Sequence, residues 1–277
     1  MDDIERAVDW AGREGWNPGT MDAACFATTD PQGFLGGWLG DRMIASISVV
    51  NYDAAFAFLG FYIVDPDFRG RGYGYKLWQQ ALLHAGPRMV GLDGVLAELE
   101  NYQRSGFGLA YHNIRFGGVA PDTIAPLANG DVTITALDHA TPQLQRCDRQ
   151  AFPAARPAFL NAWIGAETHH AVAAHRGEDL AGYAVIRPCQ TGFKIGPLFA
   201  TDRDVAQALL QTLLTKARVV PGKDQIFLDV PEPNKVAMAL AQDFGLEPVF
   251  ETARMYTGVP PDIALNRVFG ISSFELG

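Results

Sequence analysis

Apolar positions along the chain follow two different spacings. Phe56 to Val64, FAFLGFYIV, is a run of aromatic and β-branched residues of strand length, and Pro66 cannot continue a central strand. Tyr73 to Gly86, YGYKLWQQALLHAG, instead recurs at helical intervals through Leu77, Trp78, Ala81, Leu82 and Ala85, and stops at Gly86-Pro87. A strand, a glycine-rich turn and an amphipathic helix are predicted in that order. Upstream, Gly33 to Val50 reads as two β-rich runs about a Gly40-Asp41 turn.

The same order recurs further along the chain, as an internal repeat would. His169 to Pro188 repeats the two runs about a turn, and Asp204 to Ala217 repeats the helix through Val205, Leu209, Leu210, Leu213 and Leu214. YQRSGF (Tyr102 to Phe107) precedes a β-like LAYHNIRF, as AQDFGL (Ala241 to Leu246) precedes PVFETARMY. Between the repeats, Phe116 to Asp131 is rich in Gly, Pro and Asn and shows neither spacing. Two related α/β (α+β) units are expected, residues 1–118 and 131–277, joined by a linker at 119–130.

Composition narrows the function. With 277 residues, 48% of them hydrophobic, the chain can bury a sizeable core. It carries 22 Lys and Arg against 31 Asp and Glu, a net charge of −9, and no basic cluster, which argues against a nucleic-acid partner. The longest apolar stretch, Ala54 to Val64, is about half a membrane span, so no membrane partner is expected. An acidic N-terminus and three separated cysteines, Cys25, Cys147 and Cys189, suit a cytoplasmic protein. His169, His170 and His175 lack metal-ligand spacing, so no metal is expected.

The segment RGRGYG, Arg69 to Gly74, lies where the strand hands over to the helix. A helix N-terminus exposes unpaired amides and the positive end of the macrodipole. Alternate glycines let the backbone close on an anion and adopt positive φ, and Arg69 and Arg71 add charge. The pattern predicts a phosphate or pyrophosphate cradle, and matches neither GxxxxGK[ST] nor GxGxxG.

The stretch YIVDPDFRGRGYG resembles the acetyl-CoA signature of the GNAT superfamily of N-acetyltransferases, V-x-P-x-x-R-G-x-G-x-G/A. Val64, Pro66, Arg69, Gly70, Gly72 and Gly74 meet every fixed position. The resemblance implies two tandem GNAT-like domains, each a mixed, mostly antiparallel sheet flanked by helices, with this stretch ending a fourth strand and opening a third helix. It implies acetyl-CoA as cosubstrate, its pyrophosphate held by the amides of Arg71, Gly72, Gly74 and Tyr75 within the Arg69–Tyr75 turn, which also contains Gly70 and Tyr73. Tyr62, Ile63 and Val64 are expected to pair with pantetheine like an added strand and to polarise the thioester carbonyl. Gly60 is expected to mark a bulge that splays this strand from the next.

YQRSGF is similar to the family's Y-x-K-x-G-F-like stretch, which makes Tyr102 the candidate general acid; the other reading is that it packs or binds CoA. A phenol of pKa ~10 can donate to a thiolate whose conjugate acid lies near ~8.5. An attacking ammonium must first lose a proton, and Glu98, Glu100 or an ordered water are the candidate bases. Glu14 to Asp22 falls where the family places an acceptor-lining loop, so Trp16, Asn17 and Asp22 are candidate acceptor residues.

The second unit carries ATDRDV, Ala200 to Val205, in place of RGRGYG. Asp202 and Asp204 there satisfy the helix dipole and repel an anion, and Ala241 stands where the first unit has Tyr102. A degenerate domain that binds no CoA but can shape the substrate pocket is expected, with Asp229, Glu232 and Glu251 as carboxylates to consider for an ammonium. Family members begin with a strand, whereas this chain opens on a helical pattern. Either the start is truncated, or another segment, with the C-terminal RVFGISSFELG as candidate, covers that sheet edge. The expected activity is direct transfer of acetyl from acetyl-CoA to a primary amine of a small molecule or peptide; the alternative is a non-catalytic acyl-CoA-binding sensor.

Overall fold

The computed structural model describes residues 2–119, 131–217 and 224–277, so the linker expected at 119–130 lies outside the described residues except for Val119. In the first half, helices α1 (Asp2–Arg13) and α2 (Asp22–Ala27) precede strands β1 (Phe34–Leu39), β2 (Arg42–Asn51) and β3 (Phe56–Val64). Helix α3 (Tyr73–Ala85), β4 (Met89–Val95), α4 (Leu99–Arg104) and β5 (Gly108–Val119) follow. The second half adds β6 (Thr133–Leu137) and then repeats the series: α5 (Pro142–Ala151), α6 (Pro157–Gly165), β7 (His170–Arg176), β8 (Asp179–Pro188), β9 (Phe193–Ala200) and α7 (Arg203–Ala217). It continues with β10 (Gln225–Pro231), α8 (Lys235–Asp243), β11 (Glu247–Tyr256) and the short β12 (Val268–Gly270).

The strands form one mixed sheet in the order β1-β2-β3-β4-β11-β5-β10-β9-β8-β7-β6, with β12 against β9. At its centre the halves exchange strands. β11 runs antiparallel between β4, with Met255 opposite Leu92, and β5, with Ala253 opposite His112. β5 in turn runs antiparallel to β10, with Phe116 opposite Leu228. The last long strand of each half thus pairs with the sheet of the other. Two neighbouring pairs are parallel, β3 with β4 and β9 with β10, and there the sheet opens.

Two sequence expectations are corrected here. Residues 116–119 continue β5 rather than opening a loop: the Phe227 ring stands 3.0 Å from the Cβ position of Gly117, and the Gly245 carbonyl 3.1 Å from that of Gly118. Glycine at these sites serves close packing in a central strand. The C-terminal segment does not cover the first half's sheet edge either. β1 has only β2 beside it among the described residues, whereas Val268 and Gly270 pair with Phe199 and Leu198 of β9. That pairing buries Phe269 in the second half's core, a better place for its ring than an exposed edge.

Helix α3 packs Trp78, Ala81 and Ala85 against Leu59, Val90 and Leu92 of the sheet, while α7 does the same with Val205, Leu209, Leu210 and Leu213. The seam between the halves holds a Phe26–Trp163 stack, centroids 5.7 Å apart, and buried ion pairs, among them Arg187–Asp22 and Arg115–Asp229. Arg187 Nε donates to Asp22 at 3.0 Å, and Arg115 grips Asp229 through two bonds of 2.6 and 2.8 Å. Removing one partner of such a pair typically costs about 3–5 kcal/mol, so the seam fixes the halves in one arrangement. No helix among the described residues is long and apolar enough to cross a membrane.

Candidate active site

β3 and β4 pair from Phe56 and Met89 to Leu59 and Leu92, and then part. Gly60 stands at the parting. Just beyond it the β2–β3 register slips and Phe61 takes a φ of 49°, the bulge expected at this glycine. From Gly60 to Val64 the edge of β3 facing β4 has no strand partner among the described residues, which leaves backbone groups to be satisfied from the gap.

After β3, Asp65 accepts from the Asp67 amide at 3.0 Å and closes a tight turn over Pro66–Phe68. Gly70 and Gly72 follow at φ 72° and 79°, conformations that a side chain resists. Gly72 caps α3, whose first-turn amides have no partner within the helix. A Cβ on Gly74 would lie 2.7 Å from both the Tyr62 hydroxyl and Val64 Cγ2, so the helix start rests directly on the strand end.

Strand end, turn, helix start and α4 enclose a cavity of about 410 Å³. Every residue named above for the cosubstrate lines it except Arg71, whose guanidinium lies 5.4 Å from the centre of the Phe68 ring. Arg69 lines the cavity but spends its guanidinium on the Val64 carbonyl, at 2.8 Å, and on Glu14, at 2.5 Å. The positive character of the turn therefore comes chiefly from backbone amides and the helix dipole.

Tyr102 and Glu98 line the same cavity. Tyr102 stacks on Trp78 at 5.8 Å, and Gly94 makes room for its ring, since a Cβ there would come within 2.3 Å of it. Burial first, and then the Glu98 carboxylate, push the Tyr102 hydroxyl upward and keep it protonated. Glu98 is exposed at the rim and accepts from the Asn101 amide. Glu100 is not brought to the site: its side chain is 86% exposed, and its carboxylate lies 3.6 Å from Arg104.

Of the three expected acceptor residues, only Trp16 reaches the cavity. Asn17 sits at φ 51° and uses its side-chain amide like a backbone, donating to the Thr191 carbonyl and accepting from the Thr191 amide, each at 2.9 Å. Asp22 is fully buried, held by the Gly19 amide and Arg187. Both fasten the loop between α1 and α2 to the second half instead of lining the cavity.

The opposite wall is built by the second half, through residues that sequence reasoning did not single out: Phe250 and Thr252 of β11, and Phe274 and Glu275 of the C-terminal segment. A glutamate inside the apolar stretch SSFELG is the one signal that could have marked it. The three second-half carboxylates considered for an ammonium are committed elsewhere, Asp229 to Arg115, Glu232 to Lys235 and Glu251 to His112.

The equivalent opening in the second half is closed. β9 and β10 part after Ile195 and Leu228, and β12 enters beside β9 while the Ile271 amide donates to the Asp229 carbonyl. Asp202 caps α7 through the Val205 amide and binds Arg176. No group of three or more metal-ligating side chains is gathered among the described residues.

Comparison with known proteins places this geometry. The Acetyltransferase (GNAT) family model matches residues 1–108, and an Acetyltransferase (GNAT) domain model matches residues 144–270. The holothin acyltransferase of Pseudoalteromonas sp. (strain SANK 73390) is 33% identical over 97% of this chain and 90% of its own. The chain belongs to the GNAT acetyltransferase family. It is a tandem GNAT protein and an acyltransferase. Among solved structures, a candidate acetyltransferase from Pyrococcus horikoshii superposes with a TM-score of 0.81 at 21% identity, over 100% of this chain and 93% of that one. A tandem GNAT protein from the clavulanic acid biosynthesis pathway superposes at 0.61 and 14%, over 94% and 96%. These two likenesses are of fold.

Proposed function

We propose that the first half of this tandem GNAT protein binds acetyl-CoA and transfers the acetyl group directly to a primary amine of a small molecule or peptide, while the second half binds no CoA and supplies the acceptor wall. The observation that carries the reading is the contrast between the two openings of the sheet. One is lined by a glycine turn, unpaired strand edge and helix N-terminus; the other is filled by the chain's own β12 and capped by Asp202.

The residues fit the cosubstrate. Gly70 and Gly72 leave their Cβ positions open, with nothing within 4 Å, and Arg71 to Tyr75 supply the amides for the pyrophosphate. The free edge of Tyr62, Ile63 and Val64 offers pantetheine a strand to pair with, and a strand-end amide an oxyanion donor. The bound thioester supplies an activated acyl carbon. Tyr102, held protonated, gives its hydroxyl proton to the departing sulfur. The rest of the site orients the amine and keeps water away. A small-molecule acceptor agrees with the name of the holothin acyltransferase, and the three unpaired cysteines agree with a cytoplasmic enzyme.

The test is an assay of acetyl-CoA with primary alkylamines that follows both thiol release and N-acetyl product. Sequential kinetics with no acetylated protein are expected. An acetylated enzyme intermediate would contradict direct transfer.

A further inference from the structure

Transfer to an ammonium group requires a place for its proton. Four acidic residues line the cavity: Glu14, Asp93, Glu98 and Glu275. Three are engaged. Glu14 binds Arg69, Asp93 accepts from Arg254 at 2.6 and 2.8 Å and from Asn113 at 2.7 Å, and Glu98 takes the Asn101 amide.

Glu275 differs from the rest. It is 2% exposed, and neither of its carboxylate oxygens accepts a hydrogen bond from any described group. Burying an unsatisfied carboxylate is strongly unfavourable, so its retention calls for a compensating use. The charged groups around it are Lys194 of β9, Arg115 of β5, Arg187 of β8 and Asp22 of α2. Arg187 and Asp22 satisfy each other, Arg115 holds Asp229, and Lys194 donates to the Trp16 carbonyl at 3.3 Å. Burial moves the Glu275 carboxyl upward, with Lys194 the largest opposing influence, a direction that makes the carboxylate a better proton acceptor.

The placement is fixed by the C-terminal segment. Its β12 closes the second half's opening, and the chain then runs to the parting of β3 and β4, where the Glu275 backbone packs on Gly60 and the Leu276 carbonyl accepts from the Tyr52 hydroxyl at 2.7 Å.

We propose that Glu275 is the general base of the first half's site, brought there by the segment that closes the second half's. This rests on the amine acyltransferase reading above. The ammonium gives one proton to Glu275, and the freed nitrogen lone pair bonds to the acyl carbon. The carbon–sulfur bond breaks as Tyr102 protonates the sulfur. The second nitrogen proton restores Tyr102, and the first leaves Glu275 for solvent, so each turnover releases one proton.

The experiment compares wild type, Glu275→Gln and the double variant Glu275→Gln/Lys194→Met, with acetyl-CoA and primary alkylamines as probes across the pH range. Glu275→Gln should lose about a hundredfold or more in kcat/KM for the amine at neutral pH, the deficit narrowing as pH rises toward the amine's own pKa. Its acetyl-CoA affinity should stay within about twofold of wild type. The double variant removes both charges, keeps the interior balanced if the single variant folds poorly, and should remain as impaired. Wild-type rates and pH profile in Glu275→Gln, or recovery in the double variant, would make Glu275 a counterion to Lys194 and overturn the proposal. A wild type that binds acetyl-CoA yet acetylates no amine would defeat the transferase reading itself, and the role of Glu275 with it.

Discussion

The carbonyl oxygen of Glu275 lies 2.2 Å from the point a Cβ on Gly60 would occupy. Backbone packed on backbone cannot yield that distance, so the bulge in β3 and the path of the C-terminal segment specify each other. Gly60→Ala is therefore expected to cost about 1–3 kcal/mol of stability and to raise KM for acetyl-CoA, measured by urea unfolding and steady-state kinetics. Unchanged stability would mean that the segment does not rest there.

Tyr102 is protonated by burial and stacked on Trp78. Tyr102→Phe keeps the stack and removes the proton donor, so kcat should fall by about 10²–10⁴ while acetyl-CoA affinity is retained. Kinetics and calorimetry on the same preparation check this. An unchanged kcat would reduce Tyr102 to a packing residue.

Asp22 and Arg187 are both fully buried in the seam. Asp22→Asn strands the guanidinium and should destabilise the chain by about 3–5 kcal/mol, whereas Asp22→Asn/Arg187→Met should recover much of that loss. Chemical denaturation of the two variants separates these outcomes.

His169 has Nδ1 2.8 Å from the Trp163 carbonyl, which fixes the N–H there, and a buried Nε2 without a hydrogen-bond partner among the described residues. Burial, and then Arg187, lower its pKa from 6.5 to about 4. The unfolded chain takes up this proton first on acidification, so the contribution is complete above pH 6.5 and is lost as pH falls toward 4, by about 3 kcal/mol. A His169→Gln chain should show a flatter stability profile over that interval.

What could be read from the sequence was local. The strand, glycine turn and helix from Phe56 to Ala85 follow from spacing and chain stops, and Asp202 reads as a helix cap in the residues beside it. The strand exchange could not be read, because β5 and β11 are strand-length runs that do not name their neighbours, and glycines at 117 and 118 look alike whether they turn a chain or admit the Phe227 ring. Asn17 and Asp22 point by position to the acceptor side, yet Thr191 and Arg187 from the other half claim them. Glu275 resembles an ordinary terminal charge until the segment is threaded past Gly60.

The central claim is one working opening and one closed opening in the sheet, and calorimetric titration with acetyl-CoA of the wild type beside Gly72→Glu tests it most directly. Glutamate at a φ of 79° brings strain, bulk and negative charge to the turn. One site per chain, abolished in the variant, is the predicted result; two sites, none, or binding indifferent to Gly72→Glu would contradict it.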